Sequence, residues 1–166
     1  MVERQGLVNK QELNYEGVFV VQDLYNFFDT FMKKNGYKRL DIQNSEYVKK
    51  NGRDIEMVFE MQKVMNDYAT NIIRVDMQLK KIKDIEIEKE GFKINANQGQ
   101  VKFVFDAIYQ QDFEHRWENK PGFFFIRVLF DRYLFKPFTT DYQGLVMKDY
   151  GYFVNEIKAK LNLYRY

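Results

Sequence analysis

From Ile73 to Lys80 the chain alternates without a fault. Ile73, Val75, Met77 and Leu79 hold one parity, and Arg74, Asp76, Gln78 and Lys80 the other. A strand turns successive side chains to opposite faces, so this run has one buried and one wet face. That is the habit of an antiparallel sheet covered on one side. The pattern recurs before and after. Ile55, Met57, Phe59 and Met61 point one way, against Glu56, Glu60 and Gln62. Val101, Phe103, Phe105, Ala107 and Tyr109 share a face, with only Val104 and Ile108 breaking the polar side.

Turn residues punctuate these runs. Asn51-Gly52 accepts positive φ at both turn positions and is the strongest hairpin signal in the chain. Asn66-Asp67, Glu90-Gly91 and Gln98-Gly99 read as further turns, the last two dividing residues 82–112 into three short strands. An earlier strand is expected over NKQELNYEGVFV, ending near Gly17. The total is six to seven strands in a meander, because consecutive strands with short connections pair as neighbours.

The period changes twice. Val21, Leu24, Tyr25, Phe28, Phe31 and Met32 fall on one helical face, and Asn35-Gly36 is a good stop, so a first helix spans about residues 20–35. Val146, Tyr150, Phe153, Val154, Ile157 and Leu161 form the stripe of a long final helix. Thr140 and Gln143 ahead of it have capping-box spacing. Between them, PGFFFIRVLFDRYLFKPF (residues 121–138) predicts another helix over about 121–136, begun at Pro121 and ended by Pro137. Arg127, Asp131 and Arg132 inside it exclude a membrane span, since each would sit near the bilayer centre. Arg127 and Asp131, four apart, can pair on one narrow face. The rest is apolar, so this helix needs cover on more than one side.

Composition narrows the classes. Sixteen Phe and twelve Tyr require a core, a cavity or an interface. A net charge of +2 with no concentrated basic face gives no reason to expect nucleic acid. The absence of cysteine excludes disulfides, thiolate metal sites and cysteine nucleophiles, and agrees with a cytoplasmic protein. No apolar h-region opens the sequence and no uncharged apolar run approaches roughly 18 residues, so neither a signal peptide nor a membrane span is expected. The chain reads as a single domain, 1–166.

Chemistry is sparse. His115, the one histidine, stands among Asp112, Glu114 and Glu118; such a set would bind a divalent metal weakly, and it reads as a solvated segment ahead of a helix. Asp76 and Asp106 stand on the wet face. Ser45 is the only serine and lies in no nucleophile motif, and no phosphate loop or dinucleotide fingerprint is present. Trp117, without a basic groove around it, reads as packing rather than base stacking. No catalytic residue, metal site or cofactor is therefore expected. Polar residues on the inward sheet face would revive an enzyme.

The order strand, helix, meander, long C-terminal helix resembles the helix-grip plan of START-type domains, a group including lipid-transfer and polyketide-cyclase-like proteins. The fold class expected is α+β, with an N-terminal helix and two C-terminal helices packed on one face of the sheet. The chain departs from that plan by a helix inserted before the last one, and by one first helix where the family usually has two. It also resembles small archaeal proteins without assigned activity, through Tyr15-Glu16-Gly17, Asp23-Leu24-Tyr25, Gly36-Tyr37 and Arg116-Trp117-Glu118. The helix-grip resemblance implies a cavity lined by Met57, Phe59, Met61, Val75, Met77, Phe103 and Phe105 from the strands, and closed by Tyr150, Phe153 and Ile157. Packed against one another, the same side chains would be an ordinary core. Two functions follow: a non-catalytic module holding an apolar small molecule or lipid-like ligand between sheet and final helix, or a structural protein forming a homodimer through the apolar helix at about 121–136.

Overall fold

The alternating runs pair in sequence order, and the N-terminal segment closes the far side. The computed structural model describes residues 2–66, 69–112 and 136–162. Its elements are β1 (Val2–Phe19), α1 (Val21–Asn35), β2 (Lys38–Lys49), β3 (Gly52–Asn66), β4 (Ala69–Lys89), β5 (Phe92–Asp112) and α2 (Lys136–Asn162). The sheet order is β1-β5-β4-β3-β2, antiparallel throughout. Strands β2 to β5 form the meander, and β1 and β2 occupy opposite edges.

That order fixes the job of α1. The chain leaves β1 at one edge and enters β2 at the other, so the helix between them must cross the sheet. Four inter-strand spacings of about 4.8 Å make roughly 19 Å. The 15 residues of α1 rise about 22 Å, enough for the crossing. Val21, Leu24, Phe27, Phe28, Phe31 and Met32 bury its sheet-facing stripe. Gly36 ends it in the left-handed conformation, φ 73°, while the next N–H, from Tyr37, bonds to the Met32 carbonyl at 2.9 Å. At its start Val20 offers no capping side chain, and Asn97 of β5 substitutes: its Oδ1 accepts the Val21 N–H at 3.0 Å.

Among the described residues, the expected six to seven strands become five. Gln98-Gly99 is not a turn. Strands β4 and β5 are each 21 residues long and form one hairpin, paired from Lys89 with Phe92 to Ala69 with Gln111. Glu90-Gly91 does turn it, with positive φ at both residues. Gly99 lies within β5 because of its neighbour. Strand β4 bulges between Lys80 and Lys83, with Lys81 at φ 55°. A Cβ on Gly99 would stand 2.9 Å from the Lys80 carbonyl oxygen, and one on Gly52 of β3 would stand 2.7 Å from that of Ile82. A glycine on each flanking strand makes room for the bulge. The Lys81 N–H bonds to Asp54 Oδ1 at 2.9 Å. In β1, Lys10 at φ 49° repeats the device, its N–H on Asp106 Oδ1 at 2.7 Å. Left-handed lysine costs about 1–2 kcal/mol, which these carboxylate bonds help to offset.

The helices also need correction. Two are described, α1 and α2, against three expected; the helix expected over 121–136 lies outside the described residues, apart from its last residue. Lys136-Pro137, expected to end that helix, opens α2. Thr140 and Gln143 lie inside α2, so they do not mark its start. The stripe of α2 is as expected: Val146, Tyr150, Phe153, Val154, Ile157 and Leu161 are buried. Both helices cover the same sheet face, in one core with Met57, Phe59, Val75, Met77, Phe103 and Phe105. The opposite face is wetter but not uniformly so. Glu60, expected on its wet side, is buried, with Arg74 at 3.8 Å, Arg4 at 4.0 Å and Gln62 at 2.9 Å.

Candidate functional site

The ten residues expected to line a cavity come together. Met57, Phe59 and Met61 project from β3, Val75 and Met77 from β4, and Phe103 and Phe105 from β5, against Tyr150, Phe153 and Ile157 of α2. None is more than 5% exposed. The residues that meet them are the rings of α1. Phe153 has its ring centroid 4.8 Å from Phe31, 5.4 Å from Phe27, 5.8 Å from Phe28 and 6.1 Å from Phe105. Phe28 reaches on to Phe59 at 5.4 Å. These are ordinary distances for stacked, tilted and edge-on aromatic pairs. The stripe of α1 predicted that Phe28 and Phe31 would be buried, but not that α1 would pack beside α2 on the same sheet face and supply the filling. Phe27, outside that stripe, completes it.

Polar groups stand at the rim of this core. Tyr150 donates its hydroxyl proton to Gln11 Oε1 of β1, and burial, helped by the Asp106 charge, pushes the phenol up to about 12. At the β3–β4 end, Tyr37 donates to Asp149 Oδ2 at 2.9 Å, and Lys63 Nζ stands 3.7 Å from the same oxygen and 5.4 Å from the Tyr37 ring centroid. Burial first, then the Asp149 charge and hydrogen bond, hold the Tyr37 phenol far above its usual range. Asn71, fully buried and paired with Lys63 across the strands, donates to the Tyr142 carbonyl at 3.1 Å. Inward polar residues therefore exist. The Tyr37 phenol stays protonated and the carboxylate it meets is already shared with an ammonium. Asp149 ties α2 to β3 and to the α1–β2 connection; the group is a clamp.

Outside the core, a cleft of about 690 Å³ opens beside the first turn of α1, between Tyr25, Arg53, Asp84 and Asn97. Arg53 is held at both ends, by Asp84 at 3.0 Å and Glu46 at 3.5 Å, and Asn97 Nδ2 donates to the same Asp84 oxygen at 2.7 Å. Burial raises the Tyr25 phenol, with Glu46 adding and Arg39 and Arg53 opposing. Arg53, Asp84 and Glu46 are thus engaged with one another, although the buried Arg53 Nε has no hydrogen-bond partner. Asp76 and Asp106, noted as wet-face acids, are engaged separately: Asp76 accepts from Gln78 at 3.4 Å and Asp106 from the Lys10 N–H. Among the described residues no group of three His, Cys, Asp or Glu side chains is placed to hold a metal, and no helix is long and apolar enough to cross a membrane. His115 and Trp117 lie outside the described residues.

The other apolar surface is an edge. Of twelve β2 residues only Ser45 is even partly buried. Leu40, Ile42 and Tyr47 are about half exposed and Val48 is 85% exposed. In comparisons with known proteins, no family model and no curated protein matches the chain.

Proposed function

We propose that this chain is a non-catalytic interaction protein that works as a homodimer. One contrast carries the reading. Inside, the space between sheet and helices is occupied by the protein's own rings. Outside, a whole edge strand presents apolar side chains to solvent. A folded monomer gains nothing from Leu40, Ile42, Tyr47 and Val48 in that position, whereas a partner strand would cover them.

The alternative reading, an apolar small molecule held between sheet and α2, draws support from Met57, Met61 and Met77. Their flexible thioethers form part of the buried floor and adapt to guests. A guest there must displace the contacts of Phe153 with four rings. Native mass spectrometry of freshly purified protein separates the readings. A dimer without adduct is expected; a monomer carrying an apolar adduct would overturn the dimer in favour of the ligand.

A further inference from the structure

Resting on the homodimer reading, we propose that the interface is β2 against β2, the two copies antiparallel about a two-fold axis between Ile42 and Gln43. The two sheets then continue into one of ten described strands. Among the described residues, strand β2 has β3 on one side only, so its other edge offers unpaired backbone groups. Among the described residues, half of the exposed large hydrophobics lie on it and none on the other edge strand, β1. A second copy is the occupant because this strand complements itself.

The argument starts from the β2 bulge. Pairing with β3 slips between Asp41, opposite Phe59, and Gln43, opposite Val58, leaving Ile42 as the extra residue. Arg39 and Asp41 therefore face the helices, opposite Met61 and Phe59, and so do Asn44 and Glu46, opposite Met57 and Ile55. Lys38, Leu40, Ser45 and Tyr47 face the other way, opposite Gln62, Glu60, Glu56 and Asp54. Residues directly opposite across an antiparallel pair must share a face. Two bulged copies meet that condition only in registers two residues apart.

Charge chooses among them. With the axis between Ile42 and Gln43, Arg39 meets the partner copy's Glu46, Leu40 meets Ser45, Asp41 meets Asn44 and Lys38 meets Tyr47, each pair occurring twice and on a common face. Slide the copies by two residues one way and Leu40 meets Tyr47, but Asp41 then opposes Glu46 and Lys38 opposes Lys49, again twice; slide them the other way and no like charges meet, but Arg39 meets Asn44 and both Arg39–Glu46 pairs are lost. Like charges directly opposite destabilise a sheet. Arg39 is also held ready. Its guanidinium lies 4.7 Å from the Phe59 ring centroid, with Nε 2.5 Å from Asp41 and a terminal nitrogen 2.9 Å from Met57 Sδ. Without the extra residue at Ile42, Arg39 and Glu46 would point to opposite faces.

A charge swap tests this by light scattering and native mass spectrometry. Arg39→Glu alone sets two carboxylates against each other at both pairs, and Glu46→Arg alone sets two guanidinium groups. Each single variant is expected to raise the dimer dissociation constant on the order of tenfold or more. Mixing the two variants restores a dimer, now a heterodimer, because the introduced charges face each other and the native pair survives. Circular dichroism confirms folding of each variant, and rescue on mixing also separates repulsion from unfolding. As a second measurement, Leu40→Cys with Ser45→Cys in this cysteine-free chain should give a covalent dimer on mild oxidation. The two positions lie about 16 Å apart along one strand, too far to bond within a copy. A wild-type dimer that persists in both single variants and does not cross-link overturns the β2 interface while leaving the homodimer standing. A wild-type monomer at the same concentration overturns both.

Discussion

Truncating Phe153 to alanine tests the filled core most directly. The side chain has no exposure, and its ring meets those of Phe27, Phe28, Phe31 and Phe105. Removing a buried phenylalanine typically costs 3–5 kcal/mol, the upper end applying where neighbours cannot collapse into the void. Here the neighbours belong to three different elements, α1, β5 and the rest of α2, and collapse by one draws it off another. Lost aromatic pairing adds to the burial term. We expect about 4 kcal/mol. For a chain of 166 residues the unfolding entropy at Tm is about 350 cal/mol/K, so Phe153→Ala should lower Tm by about 11 °C. Urea titration followed by circular dichroism would give the free energy independently, with an unchanged slope against denaturant if only stability has moved. Phe92→Ala, at a side chain 74% exposed, should move neither value by more than about 0.5 kcal/mol. A loss below about 1.5 kcal/mol at Phe153 would refute the closed core. The ring would then border a space already hollow, which is the condition the ligand reading needs.

The remaining predictions probe the sheet and α2. Gly99→Ala should destabilise by roughly 1–3 kcal/mol, since its Cβ meets backbone at the β4 bulge, while Gly144→Ala in α2, with nothing within 4 Å, should stabilise by about 0.5–1 kcal/mol; thermal melts of the two should shift in opposite directions. The Asp54 carboxyl is held below the usual aspartate value, mainly by its hydrogen bond to Lys49 and then by the Lys81 N–H. A depressed folded value contributes stability above the ordinary 3.8 that is lost as pH falls through the folded value. The Tm gap between wild type and Asp54→Asn should therefore be open at pH 7 and close below about pH 4; a gap that widens in acid would contradict the assignment.

What the sequence made legible was local. Alternation from Ile73 to Lys80 and the stripe from Val146 to Leu161 each follow from one period and one face, so they appear in the structure as read. Gly99 misled because a glycine has two uses, at turns and beneath an approaching backbone, and only the register with Lys80 distinguishes them. The bulges at Lys10 and Lys81 were hidden for a related reason. The Asp106 and Asp54 carboxylates that hold them are 96 and 27 residues away in sequence. The core residues were legible as apolar, but whether they enclose a guest or one another depends on where α1 crosses. That crossing is set by strand order: because β1 pairs with β5, α1 must span the sheet, and its phenylalanines occupy the space a cavity would need. The same order makes β2 an edge. Nothing in the sequence from Lys38 to Lys49 marks it as outermost, since its mixture of Leu40, Ile42, Tyr47 and Val48 with charged residues reads equally as an interior strand. The filling of the space where the helix-grip resemblance implied a cavity, and the exposed edge that the sequence did not mark, thus follow from one topological choice, which lays α1 over the sheet and leaves β2 at its rim.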